Sequence, residues 1–268
     1  MILAIDIGGT KTLVAVFDDN KKLVEQIKIP TSKDYSDFLT SLEATKDKLT
    51  TKRFFAGAIG TRGIVDRKNG MLIRDSMLGW QNKHESEDFK KIFNCNFTIE
   101  NDANLAGLSE AHLVGDKYKK IYYITVSTGI GGIAIVDGKF DPNTVDQEPG
   151  KMIYPHGGKI KYWEDLASGK ALVEKYGKKA SEINDPKIWE EYCEYLTIGI
   201  INISAITTSE CLIIGGGVGS HLDKFKHILE KKMDEYTPKV ISKPVIIKAK
   251  RPEEAVIYGC LELALQKI

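Results

Sequence analysis

Residues 3–23 read LAIDIGGTKTLVAVFDDNKKL. An apolar strand runs into a Gly/Thr turn, a second strand of small and β-branched residues follows, and a short acidic turn closes the segment. This is a β-hairpin whose turn is richer in Gly and Thr than a hairpin needs. The same pattern returns at 122–140, YYITVSTGIGGIAIVDGKF. A repeat spaced by about 120 residues is far longer than a solenoid period, so it predicts duplication of a whole domain.

Around these hairpins the chain alternates strands and helices. Residues 53–65, RFFAGAIGTRGIV, predict a strand entering a Gly-rich turn. Residues 97–115, FTIENDANLAGLSEAHLVG, predict a strand, a polar turn and a helix with Leu105, Leu108 and His112 at helical spacing. Residues 170–177 and 189–206 read as helices. CLIIGGGVGS (211–220) reads as a buried strand whose three glycines lead into a helix at 221–236, and 243–250 reads as a further strand. Residues 251–268 read as a capped C-terminal helix. The fold class is therefore α/β, with sheets covered on their faces. The domain boundary falls near 114–120. It gives an N-terminal domain over 1–115, onto which the C-terminal helix at 252–268 packs back, and a C-terminal domain over 116–251.

The bulk numbers exclude several classes. The chain has 268 residues, is 42% hydrophobic and 28% charged, and carries a formal net charge of +1. Its lysines alternate with acids, as in DDNKK, so no basic stripe is offered to nucleic acid. MILAIDIGG has no basic n-region and meets Asp6 early, unlike a signal peptide. No window reaches the roughly 18 apolar residues of a membrane span. Cys95, Cys193, Cys211 and Cys260 are scattered, with no C-x-x-C pair. Buried free thiols in a reducing, cytoplasmic compartment are the expectation.

Several short motifs carry chemistry. The turn Gly8, Gly9, Thr10, Lys11 offers backbone N–H groups that no side chain shields, as polyphosphate binding requires. Asp6 ends an otherwise apolar strand, where an unpaired carboxylate is costly. Mg²⁺ held through water would explain it, and a carboxylate satisfied within a glycine turn would too. The second turn, Ser127 to Gly132, adds weight to the phosphate reading, since two such turns could clamp one nucleotide. Gly215, Gly216 and Gly217 lie between a strand and a helix. That suits a nucleotide near a helix N-terminus, or simply close strand–helix packing. No G-K-[ST] follows, so this is not a Walker loop. Glu100, Asn101, Asp102 and Asn104 crowd a strand–helix junction where one capping residue would suffice. Asp102 can act as a base toward a hydroxyl while Asn101 holds the substrate. Phosphoryl transfer needs little more than positioning, Mg²⁺ and charge stabilisation. Finally, 148–164, EPGKMIYPHGGKIKYWE, reads as a Pro/Gly-punctuated loop with a carboxylate at each end.

DIGGTKT, ENDANLAGLSE, STGIGG with DGK after it, E-x-G, WEDLASGKAL and IIGGGV resemble, in that order, the ROK family of bacterial sugar kinases and sugar-responsive repressors. The resemblance runs from Asp6 to the C-terminal helix. It implies two actin-like (ribonuclease H-like) α/β domains with ATP and a hexose in a central cleft. Carried over, Gly8, Gly9, Thr10 and Lys11 are the first phosphate hairpin and Thr128, Gly129 and Gly131 belong to the second. Gly215, Gly216 and Gly217 lie at the adenosine, and Asp6 supports Mg²⁺ through water. Asp102 is the base that takes a proton from the sugar hydroxyl, usually O6, as in glucokinases. Asn101, Gly63, Glu148, Lys151 and Glu164 line the sugar.

The resemblance also shows departures. The family's E-x-G-H is here E-P-G-K, so Lys151 stands where a zinc-binding His is expected. The three zinc cysteines would fall at Pro155, Gly157 and Tyr162, and all are absent. Zinc takes about four N/S ligands, so zinc is not expected. Lys151 then reads as a solvent-facing lysine in place of a lost ligand, and the loop is held by Met152, Tyr154, Tyr162 and Trp163. Arg62 and Ser76 replace a usual Pro and Asn beside the sugar. The implied partners are ATP and a small sugar, a hexose or N-acetylhexosamine, with no nucleic acid or membrane. Many relatives are dimers, and a homodimer is compatible with the family. The alternative is a non-catalytic sugar- or nucleotide-binding protein or regulator. ROK repressors carry a helix-turn-helix before the first hairpin, and this chain starts on the hairpin.

Overall fold

The computed structural model describes residues 1–251 and 254–266. The chain divides into two compact units. One holds Met1–Ser109 with the C-terminal helix, and the other follows from Glu110 up to that helix. The division falls inside a helix, not in a linker.

In the first unit, β1 (Ile2–Ile7), β2 (Lys11–Phe17) and β3 (Leu23–Pro30) form an antiparallel meander. On the other side of β1, β4 (Ala56–Thr61) and β8 (Phe97–Asn101) add in parallel, giving the order β3-β2-β1-β4-β8. Helices α1 (Tyr35–Lys48) and α2 (Glu85–Phe93) connect the strands. A small sheet of β5 (Ile64–Asp66), β6 (Met71–Arg74) and β7 (Gln81–Lys83) lies between β4 and α2 in the chain. Helix α1 starts because Asp34 accepts from the amides of Ser36 and Asp37, two otherwise orphan donors. Its Phe38 and Leu42 join Trp80, Phe89 and Phe97 in the core.

Helix α3 (Asp102–His112) follows β8 with no intervening residue. The polar turn expected there is absent, because the Asn101 side chain caps the helix from within the strand and accepts from the amide of Ala103. Of the C-terminal helix expected over 252–268, residues 252, 253, 267 and 268 lie outside the described residues. The helix α9 runs Ala255–Leu265 and packs on β1 and β4. Among the described residues, Glu254 at the N-cap makes no side-chain capping bond.

The second unit repeats the first sheet. β9 (Lys120–Val126) and β10 (Ile130–Val136) form the second hairpin, with β11 (Lys139–Phe140) beside β10. β14 (Cys211–Gly215) and β15 (Val245–Lys248) join in parallel, giving β11-β10-β9-β14-β15. Order and strand senses match those of the first sheet, as the repeated hairpin predicts. Helices α5 (Gly169–Tyr176), α6 (Pro186–Thr207) and α8 (Lys226–Tyr236) belong to this unit. The glycine run is shared between two elements: Gly215 ends β14, while Gly216 and Gly217 open the short helix α7 (Gly216–Gly219).

Residues 148–164 are more regular than a punctuated loop. After a 3₁₀ turn at Pro149–Lys151, β12 (Ile153–His156) and β13 (Lys159–Tyr162) form a hairpin that leads into α4 (Trp163–Ala167). Gly157 and Gly158, at φ 56° and 71°, make the tight turn that two positive-φ residues allow. The glycines here set the register of strands. Trp163 is buried and its indole N–H donates to the Tyr195 carbonyl at 2.9 Å, while Met152 and Tyr154 pack on the same core. Tyr162, expected to pack inward, is exposed.

No helix among the described residues is long and apolar enough to cross a membrane. All four cysteines are free and buried.

Candidate active site

In the first unit the candidate residues sit at one end of the sheet. The amide of Gly8 donates to the Lys11 carbonyl at 3.0 Å, which closes the turn and leaves Gly9 and Thr10 at its tip. The Thr10 carbonyl accepts from Thr31, tying the tip to the segment after β3. Asp6 stands one residue before the end of β1. Burial raises its carboxyl to about 7, with Asp102 adding to the rise and Lys28 opposing it. Two neighbouring carboxyls whose pKa values burial raises form an oxygen donor set of the kind a hard cation takes. The site is therefore a fit for Mg²⁺.

Asp102 opens α3. Burial raises its pKa, Arg62 and the amide of Ala103 lower it, and Asp75 raises it again. Asn101 spends its side chain within the unit. Its oxygen caps α3, and its amide donates to the carbonyl of Gly63 at 3.0 Å. Behind the pair, buried Glu100 accepts a two-pronged contact from Arg67 at 2.6 and 2.7 Å and further bonds from Asn101 N and Asn104 Nδ2. A forked guanidinium on a buried carboxylate fixes the junction that aims Asp102.

Arg62 lies 3.8 Å from the buried carboxylate of Asp75, which also accepts from the amides of Met77 and Leu78. Next to it Glu85 is fully buried. Among the described residues its carboxylate receives a 3.4 Å donation from Thr61, and its second oxygen has no partner there. The Arg67–Glu100 clamp and Glu85 escape a sequence reading. A carboxylate at the end of an apolar strand is the only signal for Glu100, and nothing local marks Glu85 as buried.

In the second unit, Ser127 and Thr128 are exposed at the tip of the β9–β10 turn, whose frame is Ser127 N donating to Gly129 O at 2.9 Å. The structure brings this turn together with the ends of the 148–164 segment. Glu164 accepts from the amide of Ile130 at 3.3 Å and from the ammonium of Lys151. Lys151 is exposed, but it is an ion-pair partner and lies 5.6 Å from the centre of the Tyr162 ring. Its pKa is raised, chiefly by the bond to Glu164. Glu148 is exposed as well. Partial burial of its carboxyl raises its pKa, Lys151 lowers it and Glu164 raises it. β-Carbons on Gly129 or Gly150 would crowd Glu164, so small residues are required around it.

A cavity of about 480 Å³ lies in the second unit, lined by Ser127, Thr128, Gly169, Lys179, Gly217 and Val218 among others. A β-carbon on Gly217 would meet nothing within 4 Å. Gly216 holds φ 79°, and a β-carbon there would overlap the Val126 carbonyl, so the position is closed to other residues. Gly217 and Thr128 thus line one cavity, of the size that takes a nucleoside.

The model of the ROK family matches residues 2–267. The chain belongs to the ROK family. ROK relatives include the fructokinase of Zymomonas mobilis, 28% identical with 96% of this chain and 94% of that one covered. The N-acetylmannosamine kinase of Salmonella typhi is 25% identical over 87% of this chain and 90% of its own. Among solved structures, the ROK hexokinase from Thermus thermophilus superposes with a TM-score of 0.84 at 25% identity, covering 99% and 98% of the two chains. The actin-like α/β fold expected from the motifs is the fold of this ROK protein.

Proposed function

We propose that this ROK protein is an ATP-dependent sugar kinase that phosphorylates a hydroxyl, O6 in the first instance, of a hexose or N-acetylhexosamine. The observation that carries the reading is Asp102, a carboxyl raised by burial, steadied by Arg62 and aimed by the Arg67–Glu100 clamp. A base works best when its pKa approaches the working pH, and burial moves Asp102 in that direction. The ROK relatives named as kinases of fructose and N-acetylmannosamine support the substrate class.

In this mechanism the second N–H of the Asn101 amide, beyond the one given to the Gly63 carbonyl, and the Gly63 backbone hold neighbouring hydroxyls in the first unit. Asp102 accepts the proton of the attacking hydroxyl as its oxygen bonds to the γ-phosphorus, and the bond to the β–γ bridging oxygen breaks to release ADP. Gly8, Gly9, Thr10 and Lys11 present the turn that contacts phosphate. Asp6 would hold Mg²⁺ through water, and the ion supplies neutralisation of phosphate charge. In the second unit Glu148, Lys151 and Glu164 serve the sugar. Thr128, Gly129 and Gly131 contact phosphate, and of the run Gly215, Gly216 and Gly217 the last lines the nucleoside cavity while the first two carry the chain to it.

A coupled ADP-release assay across fructose, glucose, mannose, N-acetylmannosamine and N-acetylglucosamine tests the reading. One sugar is expected to drive turnover, and Asp102→Asn is expected to lower it about 10³-fold with unchanged circular dichroism. Full turnover in a folded Asp102→Asn protein would sink the assignment.

A further inference from the structure

The segment between α5 and α6 has little regular structure, a single 3₁₀ turn at Ala180–Glu182. Yet Lys179, Ala180 and Ser181 form one wall of the 480 Å³ cavity. The other wall is the run after β14, where Gly217, Val218 and His221 line the same space. Three residues beyond His221, at the end of the 3₁₀ turn Leu222–Lys224, Lys224 reaches across to the first wall.

Its ammonium nitrogen lies 2.8 Å from the Ser181 carbonyl, 3.0 Å from that of Ile183, 3.3 Å from Asn184 Oδ1 and 3.4 Å from the Ala180 carbonyl. Four neutral oxygens from five consecutive residues curl around one positive nitrogen. An ammonium has three N–H donors, so the four oxygens share them. This is the environment that backbone carbonyls build for a bare potassium ion, whose hydration shell they replace. Here the cation is delivered on a side chain, and it joins the two walls of the cavity.

We propose that Lys224 is a positioning residue for the nucleotide and acts as a tethered monovalent cation. It orders the oxygen ring at 180–184 and fixes the spacing of the cavity walls. Removing the side chain leaves a ring of oxygens that a free K⁺ or small ammonium ion fills, so nucleotide binding becomes dependent on that ion. The inference rests on the reading of the cavity as the nucleotide's, and the ring itself can be tested without it.

The experiment compares full-length wild-type protein with Lys224→Met, in choline chloride and in potassium chloride at equal ionic strength. Calorimetry with MgADP reads binding, and hydrogen exchange at 179–184 reads the ring. Wild-type protein is expected to bind MgADP equally in both salts. Lys224→Met is expected to bind at least about tenfold more weakly in choline, the loss of a hydrogen bond to a charged group. K⁺ or methylammonium is expected to restore binding and to slow exchange at 179–184, and Na⁺ to do so less well. Lys224→Gln supplies a polar second variant should the methionine protein fold poorly. Wild-type affinity in choline for a folded variant, or weak binding that K⁺ leaves unchanged, overturns the proposal. Wild-type protein that fails to bind MgADP overturns the nucleotide role, while K⁺-dependent exchange in the variant still reads the ring. Exchange at 179–184 that is insensitive to K⁺ in both variants overturns the ring as well.

Discussion

At the ends of β1, β4 and β8 the first unit gathers carboxyl groups that burial has pushed upward. Asp6, Asp102 and Glu85 all hold protons more tightly than free side chains do. The second unit repeats the sheet but fastens the corresponding region with ammonium groups, Lys151 on Glu164 and Lys224 on four oxygens. Strand order and senses are the same in both. A duplicated backbone therefore fixes where loops emerge and leaves their electrostatics free. A carboxyl-rich end suits proton acceptance and a divalent cation. An ammonium-pinned end suits loops that must keep their shape without chemistry of their own.

The largest expected effect breaks the carboxyl side of this contrast. Glu85 is fully buried. Its pKa rises to about 8, chiefly through burial, with Asp75 and Asp88 adding to the rise and Thr61 opposing it. The free carboxyl titrates near 4.5. Between those values the unfolded chain has lost the proton and the folded chain keeps it, so unfolding releases a proton. Stability from this group is greatest below pH 4.5 and falls as pH rises to about 8, by up to about 1 kcal/mol per pH unit. Glu85→Gln cannot ionise. Subtracting its urea-unfolding free energy from that of the wild type at each pH should give a difference that slopes downward across this window. A flat difference would mean that Glu85 is ionised in the folded protein and that the first unit tolerates a buried charge.

A smaller effect tests whether the ammonium side rests on charge alone. Gly199 lies inside α6, where replacing Gly by Ala normally gains about 1 kcal/mol. Here a β-carbon would overlap the indole of Trp163, which is 1% exposed. Overpacking of a filled core costs about 1–3 kcal/mol and occasionally more. Gly199→Ala should therefore lower stability by about 2 kcal/mol, the reverse of the helix-propensity sign. Because Glu164 follows Trp163 directly, sugar affinity should fall with it. A stabilised variant would show that Trp163 does not anchor the segment.

These residues also mark how far the sequence can be read. Hairpins, alternating strands and glycine turns were legible because they follow local periodicity and backbone need. The clustering of Asp6 with Asp102, and of Gly217 with Thr128, came from family motifs, since nothing local sets such distances. Residues 148–164 read as a loop in sequence because prolines and glycines break strands in general, whereas here Gly157 and Gly158 supply the turn of a hairpin. Glu85, Arg67 and Lys224 were invisible for another reason. A charged residue looks the same in a sequence whether solvent or a buried partner answers it, and only tertiary packing decides.

The finest test of the contrast separates charge from packing at one carboxylate. Lys151 holds Glu164, but its side chain is 54% exposed, so water and salt screen the pair. Such pairs contribute less than about 1 kcal/mol to stability. Lys151→Met should therefore leave unfolding almost unchanged, in contrast to Gly199→Ala. What changes is the freedom of Glu164, which keeps the 3.3 Å bond from Ile130 but loses its ammonium. The KM for sugar should rise with little change in kcat, because the carboxylate must be ordered on binding. In wild-type protein added salt should weaken the ion pair and raise KM toward that of the variant, while the variant should barely respond. A stability loss equal to that of Gly199→Ala, or a KM unmoved by both substitution and salt, would place Lys151 outside the positioning of Glu164 and leave packing as the sole anchor of this region.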